Sequence, residues 1–361
     1  MPPPVDARVL FYIPDISGFT KFVAETEINH SQHIVRELLE ALIDADCTGL
    51  KVSEIEGDAV LFYRLGTPPS VPELVEQARR MFVAFHTLLK RHELYRICQC
   101  GACAGANGLT LKIVAHHGAA VPMQVHEQSK FVGTGVIVAH RLLKNSLAQR
   151  EYLLLSQDLF TAAQPASGDA PAFEASSDSY DELGAIAYRV LTLTPYKAQV
   201  KVEPPAPFKL SSPHHAMQIS QHIDAPMITV FQTLIDLPGR MQWIAGVKRV
   251  ELHDDRPNQI GTLHRCVRDG GDPELVTSDV KVTETSMELW ETDVRKMGSA
   301  CYLLSKAPGD TTDLTVDFFV RGNVLVKAVF KLMMAKKLKL GFEKSLSNLS
   351  ALCEQRAVAA R

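Results

Sequence analysis

Apolar positions along this chain form short runs that alternate with longer helical stripes. Val9 to Ile13 is an apolar run stopped by Pro14, which predicts a buried strand. Thr20 stands where it can cap a following helix, and His33 to Ala45 sets Ile34, Leu38, Leu39, Leu42 and Ile43 at helical spacing. Leu50 to Glu56 and Ala59 to Tyr63 predict a hairpin turning at Gly57-Asp58. Val71 to Arg91 predicts a second amphipathic helix opened by Pro72 and Glu73. Leu109 to Val125 reads as two strands around Gly118, Val136 to Asn145 as a third helix, and Tyr152 to Leu155 and Ile186 to Leu193 as further strands. Gln164 to Asp181, rich in Ala, Ser and Asp, is expected to be a surface loop. Helices interleaved with partly hairpin-paired strands predict an α+β unit, its helices covering one sheet.

The rhythm changes after Glu203-Pro204-Pro205-Ala206-Pro207 and Ser211-Ser212-Pro213-His214-His215, which read as a partly extended linker. Met217 to Ile223 predicts a strand and Pro226 to Leu234 a short helix. Six strand-like runs follow: Val247 to Leu252, Gly261 to Val267, Leu275 to Val282, Met287 to Val294, Ala300 to Ser305 and Thr312 to Val320. A long helix from Val324 to Cys353, with Leu346, Leu349 and Leu352 three apart, closes the chain. A long antiparallel meander and a final helix predict a curved sheet wrapped around that helix. Three segments result: a domain over 1–200, a Pro/Ser-rich linker over 201–215 and a domain over 216–361.

Composition sharpens this picture modestly. A length of 361 residues favours two cores over one. Apolar content of 46% and charged content of 22% are those of a globular chain, and a net charge of −3 gives no reason to expect nucleic acid. No run approaches the roughly 18–20 apolar residues that span a bilayer, and the first residues lack a signal sequence, so the expected compartment is the cytoplasm. The seven cysteines are then expected to be reduced.

Candidate chemistry centres on Asp15, in Pro14-Asp15-Ile16-Ser17-Gly18-Phe19-Thr20, and Asp58, in Glu54-Ile55-Glu56-Gly57-Asp58-Ala59. Each follows an apolar run at a turn-like position with a glycine close by, an arrangement suited to holding a divalent cation over phosphates. The amides of Gly18, Phe19 and Thr20 are then left to meet phosphate oxygens. Phe11 to Thr20 resembles the first metal motif of class III nucleotide cyclases, and Glu54 to Ala59 their second. Ala115-His116-His117-Gly118 is similar to their central strand end, and Val132 to Arg141 to their glycine turn and following helix. The likeness spans roughly residues 7–195.

That resemblance implies a ferredoxin-like domain with helices on an antiparallel or mixed sheet. It implies that Asp15, Asp58 and the Ile16 carbonyl bind two Mg²⁺ or Mn²⁺ ions, that Gly57 shapes the nucleotide turn, and that Arg141 acts catalytically on phosphate charge. It also implies a homodimer, with Arg141 from one chain completing the partner's site around a purine nucleotide. Departures stand beside it. Ile137 occupies the place of a ribose-orienting Asn, no Lys stands near Gly184 to Tyr188, and the purine-reading pair falls on Glu54 and Lys130. Expected activity is therefore cyclic-nucleotide formation regulated by a hydrophobic ligand in the second domain, with nucleotide and hydrophobic-ligand sensing without turnover, or a dimerisation scaffold, as the alternatives.

Cys98, Cys100 and Cys103 place three thiols close enough to chelate Zn²⁺, with His116, His117 or Cys47 as the candidate fourth ligand. Residues 216–355 resemble the START-related helix-grip (SRPBCC, polyketide cyclase-like) superfamily, through Ile219 to Pro226, Val230 to Asp236 and Trp243 to Val247. The resemblance implies a cavity for a hydrophobic small molecule or lipid between sheet and long helix. Arg265, Trp290 and Asp317 are candidates to line it, although surface or core roles are favoured. Lys331, Lys336, Lys337, Lys339 and Lys344 give the last helix a basic face, read as solvated.

Overall fold

The computed structural model describes residues 8–24, 28–98, 105–163, 172–253, 259–269, 271–322 and 335–359. The chain forms two units: Met1–Leu94 with Cys100–Val202, and Tyr95–Gln99 with Glu203–Arg361. Both are α+β. No helix among the described residues is long and apolar enough to cross a membrane.

The spine of the first unit is β1 (Arg8–Ser17), buried along nearly its whole length. After it come α1 (Phe19–Ala24), α2 (Ile28–Asp44), the hairpin β2 (Lys51–Glu56) and β3 (Ala59–Leu65), α3 (Val71–Tyr95) and β4 (Thr110–Ala119). These give the sheet order β2-β3-β1-β4, the ferredoxin-like arrangement. β7 (Tyr152–Ser156), β9 (Gly184–Thr192) and β8 (Glu174–Tyr180) extend the sheet beyond β4. The β4–β7 pair is parallel and the others are antiparallel, so the sheet is mixed.

Alternation along β1 sorts its two faces. Tyr12 donates its hydroxyl to the Leu74 carbonyl of α3 at 3.4 Å. Val9, Phe11 and Ile13 instead pack with Ala59, Leu61 and Ala139. Ala139 belongs to α4 (Thr134–Leu142), which follows the two-stranded arm β5 (Val121–Val125) and β6 (Gln128–Val132). α4 lies on β4 because Gly118 and Gly135 meet without side chains. A Cβ on Gly118 would sit 2.7 Å from the Gly135 Cα, and one on Gly135 would sit 2.8 Å from the Gly118 carbonyl carbon. The short helix α5 (Gln157–Ala162) is capped by Ser156, which accepts from the Leu159 amide.

The second unit is a seven-stranded antiparallel sheet. Its elements in chain order are β10 (Pro213–Ile223), α6 (Met227–Ile235), β11 (Val247–Leu252), β12 (Leu263–Arg268), β13 (Glu274–Val282), β14 (Ser286–Asp293), β15 (Gly298–Ala307), β16 (Thr311–Arg321) and α7 (Ala335–Ala359). The sheet runs β10-β16-β15-β14-β13-β12-β11. Leu346, Leu349 and Cys353 of α7 are buried, and Phe342 meets Phe318 of β16, so one face of the sheet packs on this helix. Tyr95 to Cys98, leaving α3, belong here as well. The Tyr95 carbonyl accepts from the Ile260 amide at 3.1 Å, and Ile97 and Cys98 are buried.

Several expectations change. Pro14 does not end β1: Pro14, Asp15 and Ile16 continue it, paired with Ile113, Lys112 and Leu111 of β4. The ladder to β3 skips from Tyr12 to Asp15, so the missing proline amide breaks no bond there. Thr20 lies inside α1 instead of capping it, and Gly118 lies inside β4. The expected loop 164–181 contains the edge strand β8, too polar to read as one but paired through its backbone to β9. Pro213 to His215 begin β10 and are not linker. The stripe on α7 steps from Leu349 to Cys353 rather than Leu352, as a 3.6-residue period requires.

Gly118→Ala is expected to cost about 1–3 kcal/mol, because the new methyl meets backbone that cannot rotate away. Urea unfolding of the variant against wild type measures this.

Candidate functional site

The strand end that carries Asp15 meets three other parts of the first unit. The β2–β3 turn brings Asp58, whose carbonyl accepts the Ile16 amide at 3.1 Å. Gly18 and Gly57 on either side take left-handed backbone, with φ of 92° and 68°, which bends the chain away from both aspartates. The cross-strand partner of Asp15 is Lys112, and its Nζ lies 3.1 Å from Asp15 Oδ2. The same ammonium donates to the Leu143 carbonyl, just past the end of α4, at 3.0 Å. The negative end of that helix and the carboxylate thus share one cation.

Asp58 titrates above the usual aspartate range. Burial is the main cause, the Asp15 charge adds to it, and its own backbone hydrogen bond and Lys112 offset only part. Two carboxylates compete for one lysine, so the cluster is short of positive charge. Oxygen ligands in this state suit a hard divalent ion. The donor set of Asp15, Asp58 and the Ile16 carbonyl fits one such ion better than two, because Lys112 already engages Asp15. Lys112 was missed from the sequence, since only strand register brings it to Asp15.

The other predicted residues sort as follows. Gly18 turns the chain into α1, which contains Phe19 and Thr20. Glu54 and Lys130 close on each other at 2.6 Å. Next to them, His140 lies 3.6 Å from Glu56. Arg141 and Ile137 are exposed on α4. His116 pairs with Phe11 of β1, four residues and therefore about 13 Å along the strand from the aspartate end. Its Nδ1 sits 2.8 Å from Ser156 Oγ, and burial depresses its pKa to about 4. Cys98 is buried in the second unit, and Cys100 and Cys103 lie outside the described residues.

In the second unit the three candidate lining residues do not face α7. Trp290, Asp317 and Arg265 alternate with the inward Leu289, Val316 and His264 and so lie on the opposite face. The inner face instead holds a charge cluster. Arg240, 1% exposed, pairs with Glu291, 2% exposed, at 2.6 Å, and donates to His264 Nε2 at 2.9 Å. Burial opposes the Glu291 charge, yet Arg240 holds its carboxyl below the ordinary range. Burial and the same guanidinium press His264 down to about 4, so it is neutral. The space beside this cluster is about 10 Å³, lined by Ile97, Ile235, Leu237, Arg240, Thr277 and Leu289. That is about one water.

Comparison with known proteins divides along the same line. Residues 35–152 match a family described as a protein of unknown function (DUF2652), and residues 214–354 match the family of polyketide cyclase/dehydrase and lipid transport. An uncharacterized protein of Mycobacterium tuberculosis is 33% identical over 120 residues, 33% of this chain and 56% of that protein. The chain thus spans about half the length of this curated relative. Over the N-terminal half the structural neighbours are nucleotide cyclase domains. The guanylyl cyclase Cya2 is 16% identical, with 51% of this chain and 90% of that one covered and a TM-score of 0.41. The adenylyl cyclase CyaB from P. aeruginosa is 13% identical, with 51% and 94% covered and a TM-score of 0.34. A bacterial light-regulated adenylyl cyclase is 15% identical, with 55% and 59% covered and a TM-score of 0.40.

Because the folded-state pKa of Asp58 is raised, its ionised form weakens the fold. Stability falls as pH rises from the unfolded aspartate value through the folded one. Asp58→Asn is therefore expected to raise the melting temperature at pH 7, a gain that vanishes below about pH 4, where wild type is protonated too. Arg240→Met is expected to cost about 3–5 kcal/mol, since it strands Glu291 in the core; denaturant unfolding reads this out.

Proposed function

We propose that the first unit is a divergent class III cyclase-like domain that binds a purine nucleoside triphosphate through one divalent cation, Mg²⁺ or Mn²⁺. The ion sits at Asp15, Asp58 and the Ile16 carbonyl. One observation carries this reading: two carboxylates are held at one strand end with a single lysine in ion-pair contact, which leaves Asp58 titrating high. Lys112 takes the role of a second cation, fixed in the fold. The Gly18 turn presents the backbone of Phe19 and Thr20 to the phosphates. Glu54 and Lys130, paired at 2.6 Å, supply one acceptor and one donor. That combination can meet guanine through its amino donor and O6 acceptor, or adenine through its N6 amino donor and N7 acceptor.

Turnover is slow or absent in this reading. Ile137 cannot hydrogen-bond a ribose, and no lysine near Gly184 to Tyr188 takes up triphosphate charge. The protein then senses nucleotide as a homodimer, with Arg141 exposed on α4 and able to reach a second copy. The second unit binds a hydrophobic molecule between sheet and α7, as its match to the polyketide cyclase and lipid transport family supports. A second reading, formation of a cyclic nucleotide, is favoured by the intact aspartate pair and exposed Arg141.

Calorimetry with GTP or ATP and Mn²⁺, with mass-spectrometric detection of cyclic product, tests both. Nucleotide is expected to bind only with Mn²⁺, with no cyclic product, and the two titrations read out which base is preferred. Asp58→Ala is expected to abolish the metal-dependent part, and Lys112→Met to tighten Mn²⁺. Wild-type binding by Asp58→Ala overturns the site. Cyclic product that depends on Asp58 and Arg141 establishes the second reading instead.

A further inference from the structure

The outer face of the second unit's sheet, turned away from α7, is not an ordinary solvated face. Trp290 of β14 stacks on Phe319 of β16, with ring centroids 5.5 Å apart at 28°. Beside them Ser278, Thr292 and Ser299 form a row of hydroxyls across β13, β14 and β15, and all three are buried. A strap, Phe208 to Pro213, crosses this patch. Lys296 sits over the Phe208 ring at 4.4 Å, Lys209 reaches Asp279 at 2.9 Å, and Leu210 and Pro213 wall the space beneath. The cleft beneath, partly open to solvent, measures about 220 Å³.

Its chemistry can be counted. Ser278 Oγ lies 3.2 Å from the Trp290 carbonyl and 3.0 Å from Thr292 Oγ1. Ser299 Oγ lies 3.0 Å from the Glu291 carbonyl and 3.0 Å from Thr292 Oγ1. The three hydroxyl protons are spent within these contacts, while each hydroxyl oxygen carries two acceptor lone pairs, so the row can still accept from a donor in the cleft. The cationic and N–H donors around the cleft are engaged: Lys209 by Asp279, Lys281 by Glu288 at 3.1 Å, and the Trp290 indole by Glu288 at 3.2 Å. The two lysines that line the cleft, Lys209 and Lys281, each have their own acid. The volume exceeds the roughly 150 Å³ that holds a benzene and falls below the ~300 Å³ of a drug-sized pocket.

We propose that this strap-covered cleft is a second ligand site, distinct from the interior beside α7, for a flat, uncharged one- or two-ring aromatic molecule bearing an O–H or N–H donor. The ring stacks on Trp290 and Phe319, and the donor reaches the Ser278–Thr292–Ser299 row. Size excludes a lipid chain, and the spent lysines give an anion nothing to pair with.

Equilibrium dialysis of the full chain against 2-naphthol, naphthalene and 2-naphthoate tests this. The naphthol is expected to bind at least about fivefold tighter than either of the others, the contribution of one buried hydrogen bond. Thr292→Val and Ser299→Ala are each expected to bring naphthol down to the naphthalene level, and Trp290→Leu to weaken both. Leu210→Trp, which fills the cleft from the strap without touching the sheet, is expected to abolish binding and serves if a sheet variant fails to fold. Naphthol binding no tighter than naphthalene, or binding unchanged in Trp290→Leu and Leu210→Trp as for a ring lodged beside α7, overturns the proposal. So does the absence of naphthol binding to wild type.

Discussion

Backbone contact between Gly118 and Gly135 sets the geometry of the first unit's candidate site. A β-carbon on either would fall within 2.8 Å of the other's backbone, so α4 can lie on β4 only because neither has one. That low helix carries its last carbonyls down to the sheet, and Leu143 there receives Lys112. Lys112 is thereby held between a helix end and a carboxylate instead of extending into water. Raising α4 by one methyl would remove the helix end from the lysine and leave Asp15 to hold it alone. The electrostatics at the strand end are therefore set by packing several residues away.

The two units treat buried charge in opposite ways, and the contrast separates a site from a strut. In the second unit Glu291 is almost wholly removed from water, yet its carboxyl stays below the ordinary range because Arg240 faces it directly. In the first unit Asp58 is only half-buried, yet it titrates high, because burial raises it, the Asp15 charge adds to that, and Lys112 and its own backbone hydrogen bond offset only part. Burial alone would order these two the other way round. A matched ion pair needs nothing further. A carboxylate pair with half its compensating charge is a stability loss retained at the one place where a cation would relieve it.

The sequence made legible those features that depend on neighbours along the chain. Alternation and helical spacing found the β2–β3 hairpin, α2, α3 and the meander of the second unit, because each is decided within a dozen residues. Proline and polarity misled where pairing decided. Pro14 sits in β1 because its ladder to β3 is already interrupted, and β8 is a strand by its bonds to β9 despite a wholly polar run. Asp15 and Asp58 were legible as motifs, but Lys112 was not, since only the β1–β4 register places it opposite Asp15. Arg240, His264 and Glu291 escaped for the same reason: three scattered polar residues meet only once the sheet has curved around them.

The outer face of the second sheet shows what a linker-like composition can conceal. An antiparallel sheet packed on one side by a helix ordinarily leaves its other side polar and wet, and Asp313, Thr315 and His222 keep to that rule at one end. At the other end the pattern reverses, with two stacked aromatics and three buried hydroxyls where solvent would be expected. Phe208 to Pro213 covers them, part of a proline- and serine-rich stretch that reads as a tether between domains. Covering hydroxyls is favourable when their protons find partners, and here all three protons are spent within the row's own contacts while its oxygens keep lone pairs free. A tether that merely joined two domains would gain nothing by closing over such a row. What the row has left over is acceptor capacity, and a donor is what an aromatic hydroxyl or amine brings.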